Sequence, residues 1–223
     1  MHRLELPAWA VERGRKMNCF DSVDRERTAL IVVDMQNAFT MEGEVFGNPH
    51  AIDIVPNVNR LARAARETGC QVVWTRQTVS RTPRFAYPEW QYDARDPFVR
   101  RAIEALTEGS PGHGLLAAME IAPSDIVLDK YRYSAFIQNA SDLDSRLRHV
   151  AVDTIIIAGT LTNVCCESSA RDAYMLGYKV LFAADATAAV TDEEHNASLL
   201  NLCLNFADVR TTDQLIAVLA AEN

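Results

Sequence analysis

Short apolar runs alternate along the chain with segments whose apolar residues recur every three to four positions. Ala29-Leu30-Ile31-Val32-Val33-Asp34 is a continuous apolar run closed by an acid, the pattern of a strand buried on both faces. Residues 51–68 follow with Ile54, Val58, Leu61 and Ala65 at helical spacing. Gly69 stands just past them, where a left-handed cap is usual. Cys70-Gln71-Val72-Val73-Trp74-Thr75 predicts the second strand and Asp125-Ile126-Val127-Leu128-Asp129 the third. A short helix is expected over 141–149. Thr154-Ile155-Ile156-Ile157-Ala158-Gly159 is the fourth and most apolar strand. Residues 163–176 predict a helix ended by Gly177, and 179–183 a fifth strand. Thr191-Asp192-Glu193-Glu194 has the spacing of a capping box and opens a helix to about residue 205. Residues 207–210 are a sixth strand, and Thr211-Thr212-Asp213-Gln214 caps the last helix.

This alternation predicts an α/β fold: a single-domain, Rossmann-like three-layer sandwich. Its sheet has about six strands, mostly parallel, with helices on both faces. Two regions stand outside the rhythm. Residues 1–27 read as an N-terminal extension, interrupted by Pro7 and Gly14, either a loose arm or one packed on a neighbouring subunit. The domain proper is then 28–223. Residues 77–123 hold five of the chain's prolines and glycines between Pro83 and Pro111, with Phe85, Tyr87, Trp90 and Tyr92 among them. A connection of that length suits a lid or binding loop, with helical stretches near 97–107 and 112–119.

Composition narrows the class. With 48% apolar and 23% charged residues the chain reads as an ordinary globular protein. Its formal net charge of −8 disfavours nucleic acid or an anionic membrane as partner. No apolar run reaches the roughly 18 residues of a membrane-spanning helix. The charged N-terminus lacks the profile of a secretory signal, so a cytoplasmic enzyme is the expectation. The cysteines are Cys19, Cys70, Cys165, Cys166 and Cys203. Their odd number and spacing argue against a disulfide framework or a zinc ribbon.

In open parallel sheets ligands bind beyond the carboxyl ends of the strands. Asp34 ends the first strand, Lys130 follows the third, and the fourth runs through Gly159 into a turn bearing Cys165. An acid, a base and a thiol thus emerge on one rim. A helix N-terminus and a nearby ammonium both favour a thiolate, and a carboxylate can carry its proton. Singly, each has a plainer role: Asp34 as a turn or cap residue, Lys130 as a solvated cation, Cys165 as packing. Their shared place on the rim gives the set its weight.

Three motifs carry a resemblance. Leu30-Ile31-Val32-Val33-Asp34-Met35-Gln36-Asn37-Ala38-Phe39 resembles the opening motif of the isochorismatase-like hydrolases. Lys130-Tyr131-Arg132-Tyr133-Ser134-Ala135-Phe136 resembles their lysine motif. The run from Gly159 through Cys165 to Ala173 resembles their cysteine motif. The resemblance covers about residues 27–215. It implies Asp34 as acid/base, Lys130 as the group that tunes the thiol, and Cys165 as nucleophile. It also implies a cis Thr160–Leu161 peptide and an oxyanion hole from the N–H groups of Leu161 and Cys165. Cys166 falls where relatives are apolar. Adjacent helical side chains point about 100° apart, so the two cysteines have separate roles.

The wording nearest Cys165 is similar to ureidoacrylate amidohydrolases and related ureide hydrolases. The implied reaction is cleavage of a small amide or ureide through a thioester, releasing ammonia, with no cofactor. The nicotinamidase branch holds a metal with histidines after the second strand. Residues 75–80 have none, and His50 and His113 are remote in sequence, so no metal is expected. Asn37, Phe39, Gln77, Trp90 and Tyr133 are candidate substrate contacts, although Phe39 and Tyr133 suit a core role equally. Arg76, Arg81 and Arg84 are candidates to clamp a carboxylate, or else solvated. The resemblance further implies a homodimer or homotetramer. Two alternatives stay open: a vinyl ether hydrolase of the isochorismatase type using Asp34 without the thiol, and a non-catalytic binding member of the fold.

Overall fold

The computed structural model describes residues 1–221, so the last two residues of the expected 28–223 domain lie outside the described residues. Six strands form one sheet: β1 (Thr28–Val33), β2 (Gln71–Gln77), β3 (Ile126–Lys130), β4 (Thr154–Thr160), β5 (Lys179–Ala188) and β6 (Asp208–Arg210). Their order is β3-β2-β1-β4-β5-β6, and every pair is parallel, beyond the mostly parallel expectation. The order reverses between β1 and β4, which opens the crevice where such sheets bind ligands.

Eight α-helices accompany the strands: α1 (Ala8–Gly14), α2 (Asn37–Thr40), α3 (Val55–Glu67), α4 (Pro97–Ala105), α5 (Leu143–His149), α6 (Glu167–Met175), α7 (Asp192–Asn205) and α8 (Thr212–Ala220). The central strands bury both faces. Ile31, Val33, Ile155 and Ile157 pack with residues of α5, α6 and α7. Leu30, Val32, Ile156 and Ala158 pack with those of α3 and α8. Each buried Val, Leu or Ile among them stabilises the fold by about 1.5–3 kcal/mol. The capping boxes at Thr191 and Thr211 both form, each with reciprocal side-chain and backbone bonds. Among the described residues no helix is long and apolar enough to cross a membrane.

Several boundaries differ from expectation for identifiable reasons. The helix expected over 51–68 starts at Val55, because Pro56 suits only the first turn. The stretch 112–119 is not helical: Pro111, Gly112 and Gly114 favour turns, and Leu115 makes a bridge to Gln36. β5 runs past Ala183 to Ala188, because a bulge in its pairing with β4 lets Thr187 and Ala188 rejoin the ladder opposite Gly159 and Thr160. The helix expected from residue 163 opens as a wide π-turn, Thr162–Cys166, before α6.

The N-terminal extension packs on its own chain. Gly14 lies so close to Cys203 of α7 that a Cβ would collide with the Cys203 carbonyl. Glu5 N–H donates to Asn196 Oδ1 at 2.7 Å, and Phe20 N–H donates to Asp208 Oδ2 at 2.8 Å.

Candidate active site

β1, β3 and β4 deliver Asp34, Lys130 and Cys165 to the same rim. Gly159 makes the convergence possible. It pairs with Val33 at φ +110°, and a Cβ there would collide with the Val33 carbonyl oxygen. Asp34 itself sits at φ 49°, which an aspartate tolerates better than a branched residue and which turns the chain off the strand.

The Asp34 carboxylate is fully buried. Its Oδ1 accepts from Thr75 Oγ1 at 2.7 Å. Its Oδ2 lies 2.8 Å from Lys130 Nζ, so the carboxyl group faces the ammonium on one side and Thr75 on the other. Lys130 Nζ donates to Gln77 Oε1 at 2.6 Å and to the Arg132 carbonyl at 3.0 Å. Burial works against its charge, but Asp34 and Cys165 outweigh burial and hold its pKa up. The ammonium is therefore permanent at neutral pH.

Cys165 is 4% exposed and within hydrogen-bonding reach of both Asp34 and Lys130. Burial pushes its thiol up to about 12. Lys130 opposes that shift and Asp34 adds to it. The resting site thus holds carboxylate, ammonium and neutral thiol. The standing thiolate expected from a helix terminus and a lysine is not favoured here, because burial disfavours a charged sulfur and the carboxylate beside it opposes the lysine's field. Cys166 is wholly buried in the sheet–helix core, its thiol raised well above the usual value by burial.

The Thr160–Leu161 peptide is cis. The Leu161 carbonyl accepts the N–H groups of Val164 and Cys166 at 3.2 and 3.1 Å. The candidate oxyanion donors, the N–H groups of Leu161 and Cys165, are not among these.

The candidate substrate contacts separate into distinct groups. Gln77 joins floor to roof: its Nε2 donates to Tyr87 Oη at 3.1 Å while its Oε1 holds Lys130. Tyr133, 40% exposed, lies near Tyr87 with ring centroids 6.3 Å apart. Asn37 is a loop anchor, donating through Nδ2 to the Pro111 carbonyl at 2.8 Å. Phe39 belongs to a small apolar cluster with Ala38 and Leu106 and stacks on Phe46, the core alternative. Trp90 is 83% exposed, and its place among four aromatics carries no information about facing. Arg76 is tied to Asp129 at 2.8 Å and Arg84 to Asn139, which leaves Arg81 as the uncommitted one of the three. Arg81 lines a cleft of about 540 Å³ with Tyr87, Tyr92 and Arg100.

Some residues were not singled out in the sequence as contacts. Tyr87 and Tyr92 stack with ring centroids 4.3 Å apart, and burial raises both phenols. Arg132 pins the roof, donating to the carbonyls of Phe85 at 2.8 Å and Ala86 at 3.2 Å while its guanidinium lies over the Tyr87 ring. Gln36 ties the ends of β1 and β2 together, accepting from Gln77 N–H and donating to the carbonyls of Gln77 and His113. Arg132 and Gln36 lie inside the motifs quoted above, which was the available signal.

His113, remote in sequence, is brought to the end of β2. Its Nε2 lies 2.8 Å from Thr78 Oγ1 and 3.5 Å from Asp129 Oδ1. A single imidazole beside a carboxylate already matched by Arg76 does not make a three-ligand metal set.

An isochorismatase domain model matches residues 28–214. The chain belongs to the isochorismatase family. Within this family of hydrolases it is 32% identical to the ureidoacrylate amidohydrolase RutB of Serratia proteamaculans, over 88% of this chain and 84% of that protein. It is 30% identical to nicotinamidase 3 of Arabidopsis thaliana, over 84% of this chain and 86% of the relative. The crystal structure of a cysteine hydrolase from Pseudomonas syringae superposes with a TM-score of 0.79 at 31% identity. That match covers 88% of this chain and 94% of the other.

Proposed function

We propose that this isochorismatase-family hydrolase is a cysteine-dependent amidohydrolase. It cleaves the C–N bond of a small amide or ureide through a thioester and uses no metal or other cofactor. The observation that carries this reading is the buried contact of Asp34, Lys130 and Cys165 at the crevice between β1 and β4.

As the Cys165 sulfur attacks the substrate carbonyl, its proton passes to Asp34, which lies within hydrogen-bonding reach of the sulfur. Lys130 offsets the charge that develops on sulfur. The oxyanion is held by the N–H groups of Leu161 and Cys165. Collapse breaks the C–N bond, Asp34 returns the proton to the departing nitrogen, and ammonia leaves. Asp34 then takes a proton from water, whose oxygen attacks the thioester. The acid departs and the sulfur recovers its proton. With a ureide the departing nitrogen is instead that of the substituted amine, and hydrolysis of the carbamoyl thioester yields carbamate, which breaks down to carbon dioxide and ammonia.

Gln77, Tyr87 and Tyr133 form the polar wall of the substrate site, and Arg81 at the cleft is the group for a substrate carboxylate. Ureidoacrylate is the first substrate to try, given the match to a ureidoacrylate amidohydrolase. Assembly as a homodimer or homotetramer belongs to the same reading and is measured by light scattering.

The test is ammonia release by wild type and Cys165→Ala. The panel is ureidoacrylate, biuret, N-carbamoyl amino acids, nicotinamide and aliphatic amides, each with and without EDTA. Turnover by wild type alone, indifferent to EDTA, is expected. Turnover surviving in Cys165→Ala, or pyruvate released from isochorismate by that variant, would replace this mechanism with one using Asp34 alone.

A further inference from the structure

The turn that carries Cys165 is gripped from behind by α7. Thr162, its first residue, is fully buried. Thr162 Oγ1 lies 2.9 Å from His195 Nδ1, and the Thr162 carbonyl accepts from Ser198 Oγ at 3.3 Å. The other His195 nitrogen, Nε2, lies 3.0 Å from the Ala184 carbonyl. A carbonyl only accepts, so Nε2 carries the hydrogen and Nδ1 accepts from the Thr162 hydroxyl. Burial, the largest cause, brings the His195 pKa down to about 4, so the ring is neutral and this arrangement is fixed.

The N-terminal arm reaches this histidine. The His2 ring stacks on His195, centroids 4.2 Å apart and planes 11° apart, and also touches His50 at 4.0 Å. Ala189 N–H donates to His2 Nε2 at 3.0 Å, so the His2 hydrogen is on Nδ1, facing Asp192 Oδ1 at 2.7 Å. His2, His50 and Asp192 are close enough to suggest a cation site. Yet both His2 nitrogens are committed, one to accepting and one to donating, which favours hydrogen bonding over metal ligation.

We propose, building on the reading of Cys165 as nucleophile, that His195 is a positioning residue for the Thr162–Cys166 turn, and that the arm holds it there through His2. An apolar pair would fill this space equally well. A buried hydroxyl and imidazole in directed contact specify one placement of the turn instead. Thr162 lies three residues before Cys165, so its placement sets both the sulfur and the Leu161 and Cys165 N–H groups relative to Asp34.

The experiment uses the full chain with Thr162→Val, Thr162→Ser, His195→Ala, His195→Asn and His2→Ala, read in two ways. The first is the pH profile of Cys165 alkylation by iodoacetamide, followed by mass spectrometry, which needs no substrate. The second is kcat and KM on whichever amide of the panel wild type hydrolyses. Thr162→Val and His195→Ala should move the alkaline limb of the labelling profile by about one pH unit. They should lower kcat about tenfold with KM within about twofold. Thr162→Ser and His195→Asn, whose Oδ1 can replace Nδ1 as acceptor, should recover most of both. His2→Ala should lower kcat about threefold. Should His195→Ala fail to fold, the Thr162 pair carries the test. A Thr162→Val profile coincident with wild type overturns the proposal, as does a wild-type labelling profile displaced by zinc or EDTA, which would make the histidine cluster a metal site. Cys165→Ala assayed in parallel keeps the claims apart, because turnover surviving there removes the nucleophile reading and leaves the labelling result to judge the turn.

Discussion

The floor and the roof of the site are built in opposite ways. The floor is a set of strand ends, where Asp34, Lys130 and Cys165 are each nearly or wholly buried and every polar group faces another. The roof, residues 79–95, has no helix or strand and is held to the floor by a few side chains, chiefly Arg132 and the Gln77–Tyr87 bond. Sheet pairing fixes where the floor's side chains stand, which reaction chemistry requires. A loop pinned at few points changes shape at little cost, which suits selection among substrates.

The sharpest way to break the comparison is at the sulfur. Cys165→Ser should lose about 10⁴-fold or more in ammonia release while circular dichroism melting changes little. The ion pair comes next. Asp34→Asn should abolish turnover and also destabilise the fold by about 3–5 kcal/mol in urea titration, because it strands the buried Lys130 charge. The double variant Asp34→Asn/Lys130→Met should regain stability but no activity.

Alkaline pH offers a third test. Burial raises the folded pKa of Cys165 from its ordinary value of 9.0 to about 12, above its unfolded value. The stability this group contributes is therefore complete below pH 9 and lost as pH rises toward 12. Wild type should lose melting temperature faster than Cys165→Ala across that window; parallel curves would show that the thiol is not held protonated by the fold.

The roof should respond more weakly. Arg132→Ala should raise KM about tenfold with little effect on melting temperature, and Tyr87→Phe about threefold, both from steady-state kinetics. Trp90→Ala should leave both constants within about twofold, since exposed substitutions rarely exceed 0.5 kcal/mol. A Trp90 effect as large as that of Arg132 would mean the roof closes further over substrate than its present shape.

Local pattern made much of this molecule legible. Continuous apolar runs such as residues 29–33 and 154–158 mark strands buried on two faces, and the Thr191 and Thr211 boxes mark helix starts, because these signals depend only on neighbours along the chain. Strand-end position also brought Asp34, Lys130 and Cys165 to one rim before any geometry was known. The decisions left to tertiary structure all concern side chains meeting across elements. Tyr87 rather than Trp90 meets Gln77 because a turn-rich loop has no period from which facing can be read. His113 reaches Thr78 because a proline- and glycine-rich loop folds back on β2. His2 reaches His195, 193 positions away, because the arm packs along α7. The resting thiol is neutral because burial and the Asp34 field act together on it. Periodicity is a property of the chain, whereas contact and desolvation exist only once distant segments have closed on one another.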